Sequence, residues 1–266
     1  MKCAVLGSPI SHSLSPAMHR AAYEALDLGW TYGAFDVAEG ELAEFVADRA
    51  DWRGFSVTAP LKRQAAQLAS SRDSDVRALG VANTLIATEG GWAAHNTDVP
   101  GAGNALRHVY DSPIETIRIL GAGATAASLS LAGKRLGATQ VELRARDPRR
   151  AATTATAIEK LGLNVSVVEL DVAVTQSVDL LVSTVPSSAI SGREHEFSSA
   201  AQVVFDAIYD PWPTPLMRSA QIEGRPLVTG LDLLAHQAVL QVALMTGSPI
   251  DPQILLDAAA AKLASR

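Results

Sequence analysis

The sequence has a single cysteine, Cys3, and only 5% aromatic residues among its 266. One cysteine cannot form an internal disulfide, so the cysteine content gives no sign of an oxidising compartment. The first apolar run, Cys3 to Leu6, is interrupted at once by Gly7, Ser8 and Pro9, which makes it too short for a secretory signal. No later run reaches the length of a membrane span. We therefore expect a cytoplasmic protein.

Basic residues are also few. The chain has 22 Lys and Arg against 28 Asp and Glu, a formal net charge of −6, and only the stretch Arg144–Arg150 concentrates positive charge. A nucleic-acid binder normally carries a basic surface that neutralises phosphates, so that class is disfavoured. The six histidines lack metal-type spacing and have no cysteine cluster beside them. We expect neither a metal site nor a nucleic-acid partner.

Short β-type runs do recur along the whole chain, and they alternate with amphipathic helical stretches. This alternation predicts an α/β fold with largely parallel sheets, in a chain long enough to bury a sizeable core. In the first hundred residues the expected strands are Lys2–Leu6, Trp30–Phe35, Gly54–Val57 and Asn83–Ala87. The expected helices are Pro16–Asp27, Gly40–Asp48 and Pro60–Ser70.

The first of these helices carries clear boundary signals. Ser15 is the expected N-cap, Pro16 occupies the first helical position, and Gly29 follows the end. Apolar residues repeat at helical spacing and predict one buried face, made of Met18, Ala21, Ala22, Ala25 and Leu26.

A second unit is expected after Gly103. Six strand-like runs with helices between them match a doubly wound, Rossmann-type nucleotide-binding domain: Thr116–Leu120, Gln140–Arg144, Val165–Glu169, Leu180–Thr184, Val203–Ala207 and Pro226–Thr229. The tail contains two helices, Leu231–Met245 and Pro252–Ala264, which could pack back on the first unit. The expected domains are 1–103 with 231–266, and 104–230.

A glycine-rich turn lies between the first strand and the first helix of the second unit. Gly121, Gly123 and Ala126 form a G-x-G-x-x-A pattern. Gly121 permits the tight turn, Gly123 lets the backbone approach a pyrophosphate at the helix N-terminus, and Ala126 keeps helix and strand close. A turn without a ligand is the alternative, but the strand, helix and next strand are in register. We favour dinucleotide binding.

The end of the next strand selects the dinucleotide. NAD sites usually place an acidic residue there, whereas NADP sites offer arginine to the 2′-phosphate. Here the strand ends at Ala145 and is followed by Arg146 and Arg150, which could bind one phosphate as multi-donor groups. Asp147 could repel that phosphate or hold an arginine in place. The sequence favours NADP.

Polar side chains follow several strands of the first unit. Ser13 and Ser15 lie beside a helix start, where hydroxyls and free N–H groups suit an anion, although from the residues alone simple capping by Ser15 is the favoured explanation. Lys62 is the best general-acid candidate, and Asp98 could position it. Taken singly, Lys62 is more often a solvated helix residue and Asp98 more often a turn former, and their spacing does not show that they meet.

Taken together, these segments resemble the shikimate dehydrogenase family. The resemblance rests on Gly7–His19 as G-x-P-I-x-H-S-x-S-P-x-x-H, on V-T-x-P-x-K ending at Lys62, and on N-T-D ending at Asp98. It extends through the glycine loop to Asp206–Pro211, Thr214–Leu216 and Gly230–Ala238. Each motif alone is weak, but the ordered set is specific.

The resemblance implies NADPH-dependent reduction of 3-dehydroshikimate to shikimate, in aromatic amino-acid biosynthesis. It implies that Lys62 and Asp98 are the catalytic pair. The implied substrate-binding residues are Ser13 and Ser15 for the carboxylate, with Thr58, Asn83, Tyr209 and Gln237 around the ring. The implied cofactor-binding residues are Gly121, Ala122, Gly123, Ala124, Arg146, Arg150, Ala207 and Gly230. We expect only small-molecule partners, and a monomer or homodimer.

The chain departs from the family pattern at three points. Ala145, Arg146 and Asp147 stand where N-R-T is usual, Gly80-Val-Ala replaces the more common G-A-x, and Asp232-Leu233 replaces pairs such as Gly-Met. Two alternatives stay open: a quinate or quinate/shikimate dehydrogenase that uses NAD, and a non-catalytic dinucleotide or metabolite sensor. Ser15, the arginines, and the intact Lys62 and Asp98 argue against them.

Overall fold

The computed structural model describes residues 1–265, which divide into two compact units. The first contains Met1–Gly101 and the C-terminal segment from Leu234, and the second contains Ala102–Leu233. These limits lie two or three residues from the expected boundaries at Gly103 and Leu231.

The first unit is built on a mixed sheet that has six strands within the described residues, in the order β2-β1-β3-β5-β6-β4. Its strands are β1 (Lys2–Gly7), β2 (Thr31–Asp36), β3 (Gly54–Val57), β4 (Ser71–Arg72), β5 (Thr84–Thr88) and β6 (Gly91–His95). Strands β2, β1 and β3 pair in parallel, and β5 is antiparallel to both β3 and β6. The four expected strands are confirmed, whereas β4 and β6 were not predicted. Strand β4 is only two residues long, and β6 follows a tight turn at Glu89–Gly90.

The helices of this unit are α1 (Ser15–Ala25), α2 (Leu42–Ala47), α3 (Lys62–Leu68) and α4 (Ser74–Leu79), and α5 (Asp98–Val109) begins in it and continues as part of the second unit. In the tail, α10 (Gly230–Thr246) and α11 (Pro252–Ala264) confirm the two expected helices, and α11 packs on α1. Few aromatic residues are present, and five of them gather in one core cluster on this sheet: Phe35, Phe45, Trp52, Phe55 and Trp92.

The first helix differs in detail from the expectation. Its N-cap is Leu14, so the prediction that Ser15 caps the helix is wrong, and Ser15 is instead its first residue. The predicted buried face is also wrong in part, because Ala25 is exposed. The residues actually buried are Ser15, Met18, His19, Ala22 and Tyr23. They share the predicted spacing, but the face includes polar side chains that an apolar pattern overlooks.

The second unit is a parallel sheet with helices along it. Its six strands within the described residues are β7 (Thr116–Leu120), β8 (Gln140–Ala145), β9 (Asn164–Glu169), β10 (Val178–Ser183), β11 (Ala201–Asp206) and β12 (Leu227–Val228). Their order, β12-β11-β10-β7-β8-β9, with every pairing parallel, is the doubly wound arrangement, and it confirms the expected strands and fold class.

The helices of this unit are α6 (Ala124–Arg135), α7 (Pro148–Glu159), α8 (Glu194–Ser199) and α9 (Pro215–Ile222), with a 3-10 turn at Ser187–Ile190. In such sheets ligands bind outside the carboxyl ends of the strands, where the order reverses between β7 and β10. Among residues 1–265, no helix has the length and apolar character needed to cross a membrane.

Candidate active site

A buried ion pair lies in the first unit. Lys62 is the first residue of α3 and Asp98 is the first residue of α5, and their side chains are 12% and 7% exposed. Lys62 Nζ donates to Asp98 Oδ2 at 2.6 Å. A buried charge is tolerated only when it is paired, so each side chain requires the other. The fold thus brings together two residues whose spacing in the sequence could not show contact.

Asn83 holds the other side of the Asp98 carboxylate. Its Nδ2 donates to Asp98 Oδ1 at 2.8 Å, and its Oδ1 accepts from the backbone N–H of Thr97 at 2.8 Å. A carboxylate can only accept here and a backbone N–H can only donate, so the amide orientation is fixed from both ends. Both Asp98 oxygens therefore have donors. The carboxylate is held as an acceptor between an ammonium and an amide.

Gln237 of α10 closes this cluster. Its Oε1 accepts from Asn83 Nδ2 at 3.2 Å, and its Nε2 donates to the carbonyl of Leu234. Close packing of α5 on α10 makes the contact possible, because a Cβ on Gly101 would lie only 2.8 Å from the backbone nitrogen of Gln237. Four of the sequence-predicted residues, Lys62, Asn83, Asp98 and Gln237, are therefore neighbours.

Ser13 lies in the loop that follows β1, Ser15 is the first residue of α1, and Thr58 directly follows β3. Ser13 Oγ accepts from the backbone N–H of Ser15, the first residue of α1, at 3.3 Å. Among residues 1–265, the Ser15 hydroxyl has no hydrogen-bond partner. Thr58 donates its N–H to Leu6, and its methyl group packs against Gly7. Thr58 thus contacts the end of β1, the strand that leads into the loop containing Ser13.

His19 contacts the residue at the end of this loop, Ser15, although the sequence analysis assigned His19 no role. It is fully buried, its ring stacks on Tyr32 with centroids 4.0 Å apart, and its Nδ1 contacts the Ser15 carbonyl at 3.0 Å. Burial lowers the pKa of His19 to about 4, against the opposing bond to Ser15. The ring is therefore neutral at pH 7. Since a carbonyl can only accept, Nδ1 carries the proton.

The glycine loop joins β7 to α6 in the second unit. Gly121 has φ +110°, and a Cβ there would strike the Thr184 side chain, so the tight turn requires glycine. Gly123 is the N-cap of α6, and within residues 1–265 nothing lies within 4 Å of the position its Cβ would take. Ala126 is fully buried. The start of α6 is thus open to an anionic group, with Ala122 and Ala124 in the same turn.

The basic segment after β8 has two different parts. Arg144 is 3% exposed and donates to Glu142 at 2.6 Å, so it belongs to the interior. Arg146 and Arg150 are exposed, and Arg150 approaches Asp147 only loosely, at 3.9 Å. Two cations therefore remain accessible beside the glycine loop, whose Gly121 N–H donates to the Arg144 carbonyl.

Asp147, the residue that most complicated the cofactor assignment, is the N-cap of α7. Its carboxylate accepts from the backbone N–H and the side chain of Arg149, both at 3.1 Å. The acid is therefore occupied at its own helix end, and it also lies within ion-pair distance of Arg150. This geometry matches the alternative in which Asp147 holds arginines rather than repelling a phosphate.

Ala207, Tyr209 and Gly230 also belong to the second unit. Ala207 follows β11 and donates its N–H to Ser183, and Tyr209 lies in the loop between β11 and α9. A Cβ on Gly230 would lie 2.8 Å from the carbonyl oxygen of Ala207, so only glycine fits against this turn. Among residues 1–265, no group of three or more His, Cys, Asp or Glu could hold a metal ion.

Comparison with known proteins gives consistent matches. The family model described as the shikimate dehydrogenase substrate binding domain matches residues 5–85. A shikimate dehydrogenase (NADP(+)) from Aeropyrum pernix is 33% identical over 95% of this chain and 94% of its own length. The crystal structure of Mycobacterium tuberculosis shikimate dehydrogenase matches with a TM-score of 0.87 and 36% identity, over 98% of this chain and 99% of that one.

A further solved structure carries ligands. It is the Thermus thermophilus shikimate 5-dehydrogenase in complex with NADP(H) and shikimate, with a TM-score of 0.82 and 30% identity. The match covers 98% of this chain and 99% of that one. The likeness thus spans both units.

Proposed function

This chain belongs to the shikimate dehydrogenase family, and we propose that it catalyses the reversible, NADPH-dependent reduction of 3-dehydroshikimate to shikimate, a step of aromatic amino-acid biosynthesis. The observation that carries the proposal is the buried Lys62–Asp98 pair, at 2.6 Å, within a cluster that also contains Asn83 and Gln237. A sensor that only binds its ligands has no need for a buried ammonium held by a carboxylate.

Lys62 is proposed to act on the oxygen of the C3 ketone. When bound, NADPH supplies the hydride, which leaves negative charge developing on that oxygen. The Lys62 ammonium stabilises this charge and provides the proton, and it does most where the charge is largest, near the transition state. Asp98 keeps the ammonium in one position, and Asn83 keeps the carboxylate from rotating.

The remaining residues are proposed to bind and orient. Ser13 and Ser15 bind the carboxylate of the substrate, and Ser15 has a hydroxyl available for it. Thr58, Asn83 and Gln237 bind the ring hydroxyls, with Tyr209 beside the ring.

The dinucleotide is assigned to the second unit. Gly121, Ala122, Gly123 and Ala124 hold the pyrophosphate at the start of α6, and Ala207 and Gly230 lie beside the nicotinamide. Arg146 and Arg150 are exposed, and we propose that they bind the 2′-phosphate of NADP.

The test is an assay of absorbance at 340 nm with four combinations: shikimate or quinate, each with NADP or NAD. We expect turnover of shikimate with NADP to give the highest kcat/KM. Preferred turnover of quinate with NAD would support a quinate dehydrogenase instead, and binding of NADPH with no turnover of either acid would support a sensor.

We also propose that the enzyme works in the cytoplasm as a monomer or homodimer. Light scattering after gel filtration distinguishes the monomer from the homodimer.

A further inference from the structure

We propose that Gln241, through Thr84 and Asn83, is a positioning residue for the Lys62–Asp98 pair, an inference that rests on the proposed dehydrogenase function. Gln241 lies on α10 one turn after Gln237, and it is 1% exposed. It lies outside the sequence motifs on which the family resemblance rests, and the resemblance implies no contact between Gln241 and the substrate or the cofactor. Its side chain nevertheless connects α10 to the strand ends on which the active-site cluster is built.

Every polar atom of the Gln241 amide is used. Nε2 donates to the backbone carbonyl of Asn83 at 3.1 Å and to Thr84 Oγ1 at 2.9 Å, and Oε1 accepts from Ser56 Oγ at 2.7 Å. A carbonyl can only accept, so the amide nitrogen must face Asn83 and the amide oxygen must face Ser56. Gln241 therefore has one orientation, and it imposes a direction on its neighbours.

Upstream, this direction extends to Tyr32. The Ser56 hydroxyl donates its proton to Gln241, so it must accept from the Tyr32 hydroxyl, which lies 2.5 Å away. Burial raises the pKa of Tyr32 far above its usual value, against the opposing bond to Ser56, so the phenol remains a donor at any pH at which the protein is used. The donor end of the chain is thus fixed.

Downstream, the direction reaches the ion pair. Because Thr84 Oγ1 accepts from Gln241, its own proton is free to bond to Asn83 Oδ1, 2.9 Å away. That bond, with the one from the Thr97 N–H, holds the Asn83 oxygen and turns Nδ2 toward Asp98. Each hydrogen bond of this series donates in the same direction, from Tyr32 through Ser56, Gln241, Thr84 and Asn83 to the Asp98 carboxylate. Buried chains of this kind specify one arrangement when every member is satisfied.

The test is Gln241→Met, which keeps the length and volume of the side chain but removes both amide groups. We expect kcat for shikimate oxidation to fall by about 5- to 30-fold, or about 1–2 kcal/mol, because the bond from Asn83 to the charged pair is weakened rather than removed. The KM for NADP should change by less than about twofold, since the second unit is not touched. The loss of kcat should become smaller with distance from the ion pair along this series of hydrogen bonds. Ser56→Ala should therefore lower kcat less than Gln241→Met does, and Tyr32→Phe should lower it least.

Thr246→Val serves as the matched control. Thr246 ends the same helix, and within residues 1–265 its hydroxyl bonds only to backbone atoms, those of Val242 at 2.8 Å and of Ser248 in the turn that follows. Its loss should lower the thermal midpoint while kcat stays unchanged. If Gln241→Met lowers the midpoint but leaves kcat at the wild-type value, Gln241 is a structural residue only and the proposal is wrong.

A second measurement separates this inference from the proposed function. In a crystal structure of Gln241→Met we expect the Asn83 amide to have turned and the Asp98 carboxylate to have moved relative to Lys62. An unchanged Asn83–Asp98–Lys62 geometry would overturn the positioning role whatever the substrate is. Wild-type protein that fails to oxidise shikimate would instead overturn the proposed function, and the crystallographic comparison would still decide the role of Gln241.

Discussion

The most direct test of the active site is the pair of substitutions Lys62→Ala and Asp98→Asn. The two side chains are only 12% and 7% exposed, and Lys62 Nζ lies 2.6 Å from Asp98 Oδ2. If one of them is removed, an ion from solvent cannot take its place beside the other unless the surrounding residues rearrange. In Asp98→Asn the new amide is nearly isosteric, but it has one oxygen for two donors. If that oxygen accepts from Asn83 Nδ2, its nitrogen faces the Lys62 ammonium, and the reverse choice opposes two amide nitrogens.

The magnitude follows from the role. A positioned proton donor contributes typically about 10²–10⁴-fold to the rate, so Lys62→Ala should lower kcat by roughly that factor. Asp98→Asn should lose a similar amount, because it leaves the ammonium without its carboxylate. Since the two side chains act as one unit, the double variant should lose little more than either single variant.

The assay is steady-state oxidation of shikimate with NADP at 340 nm, together with NADPH binding measured by fluorescence. NADPH affinity should stay close to wild type in all three variants, which shows that the second unit is intact. Losses that multiply in the double variant, or a kcat within a few-fold of wild type in Lys62→Ala, would refute the reasoning.

Three further predictions concern the cofactor, the carboxylate and pH. Arg150→Ala should lower kcat/KM for NADP by about 10- to 100-fold and leave NAD use unchanged, because a charge-assisted bond to the 2′-phosphate is worth roughly 1.5–3 kcal/mol. Ser13→Ala and Ser15→Ala should mainly raise the KM for shikimate, by a similar factor for each lost bond to the carboxylate, as steady-state kinetics will show. Desolvation raises the pKa of Asp206 from 3.8 to about 6, against hydrogen bonds from Thr214 and Ile208. Folding therefore opposes ionisation of Asp206, and the free energy of unfolding should fall by about 2–3 kcal/mol as pH rises from about 4 to above 6. In Asp206→Asn, urea titrations at the two pH values should lack this fall.

Each of these predictions has a contrary outcome. Equal losses of kcat/KM for NADP and NAD in Arg150→Ala would show that Arg150 does not bind the 2′-phosphate. Arg149→Ala is the matched control, because the Arg149 side chain is paired with Asp147. Damage to the KM for NADP in the serine variants would move the carboxylate site elsewhere. The same pH dependence of unfolding in Asp206→Asn and wild type would assign that dependence to other groups.

Local pattern was sufficient for much of the fold. All six strands of the second unit, the glycine loop and the two tail helices were predictable, because periodicity and turn residues are properties of neighbouring positions. The same reasoning missed β6 and the two-residue strand β4, and it was wrong in part about the buried face of α1. There the fold buries Ser15 and His19, and the His19 ring stacks on Tyr32, a tertiary partner that no local pattern shows.

Asp147 illustrates the limit at the cofactor site. Its identity was plain in the sequence, but its effect depends on where its carboxylate points. The structure places that carboxylate at the N-terminus of α7, where it accepts from Arg149. A helix spacing argument alone leaves both orientations open.

The sequence by itself determined the fold class, the family resemblance and the residue types available for chemistry. The tertiary structure decided which of them meet. Lys62 and Asp98 are 36 positions apart, and Asn83 and Gln237 are 154 apart, yet each pair is within hydrogen-bond distance. Gln241 gave one local signal, its position one helical turn after Gln237, but its partners lie on distant strands. Hydrogen bonds between remote segments depend on strand order and helix packing, which bring together atoms that no local periodicity relates.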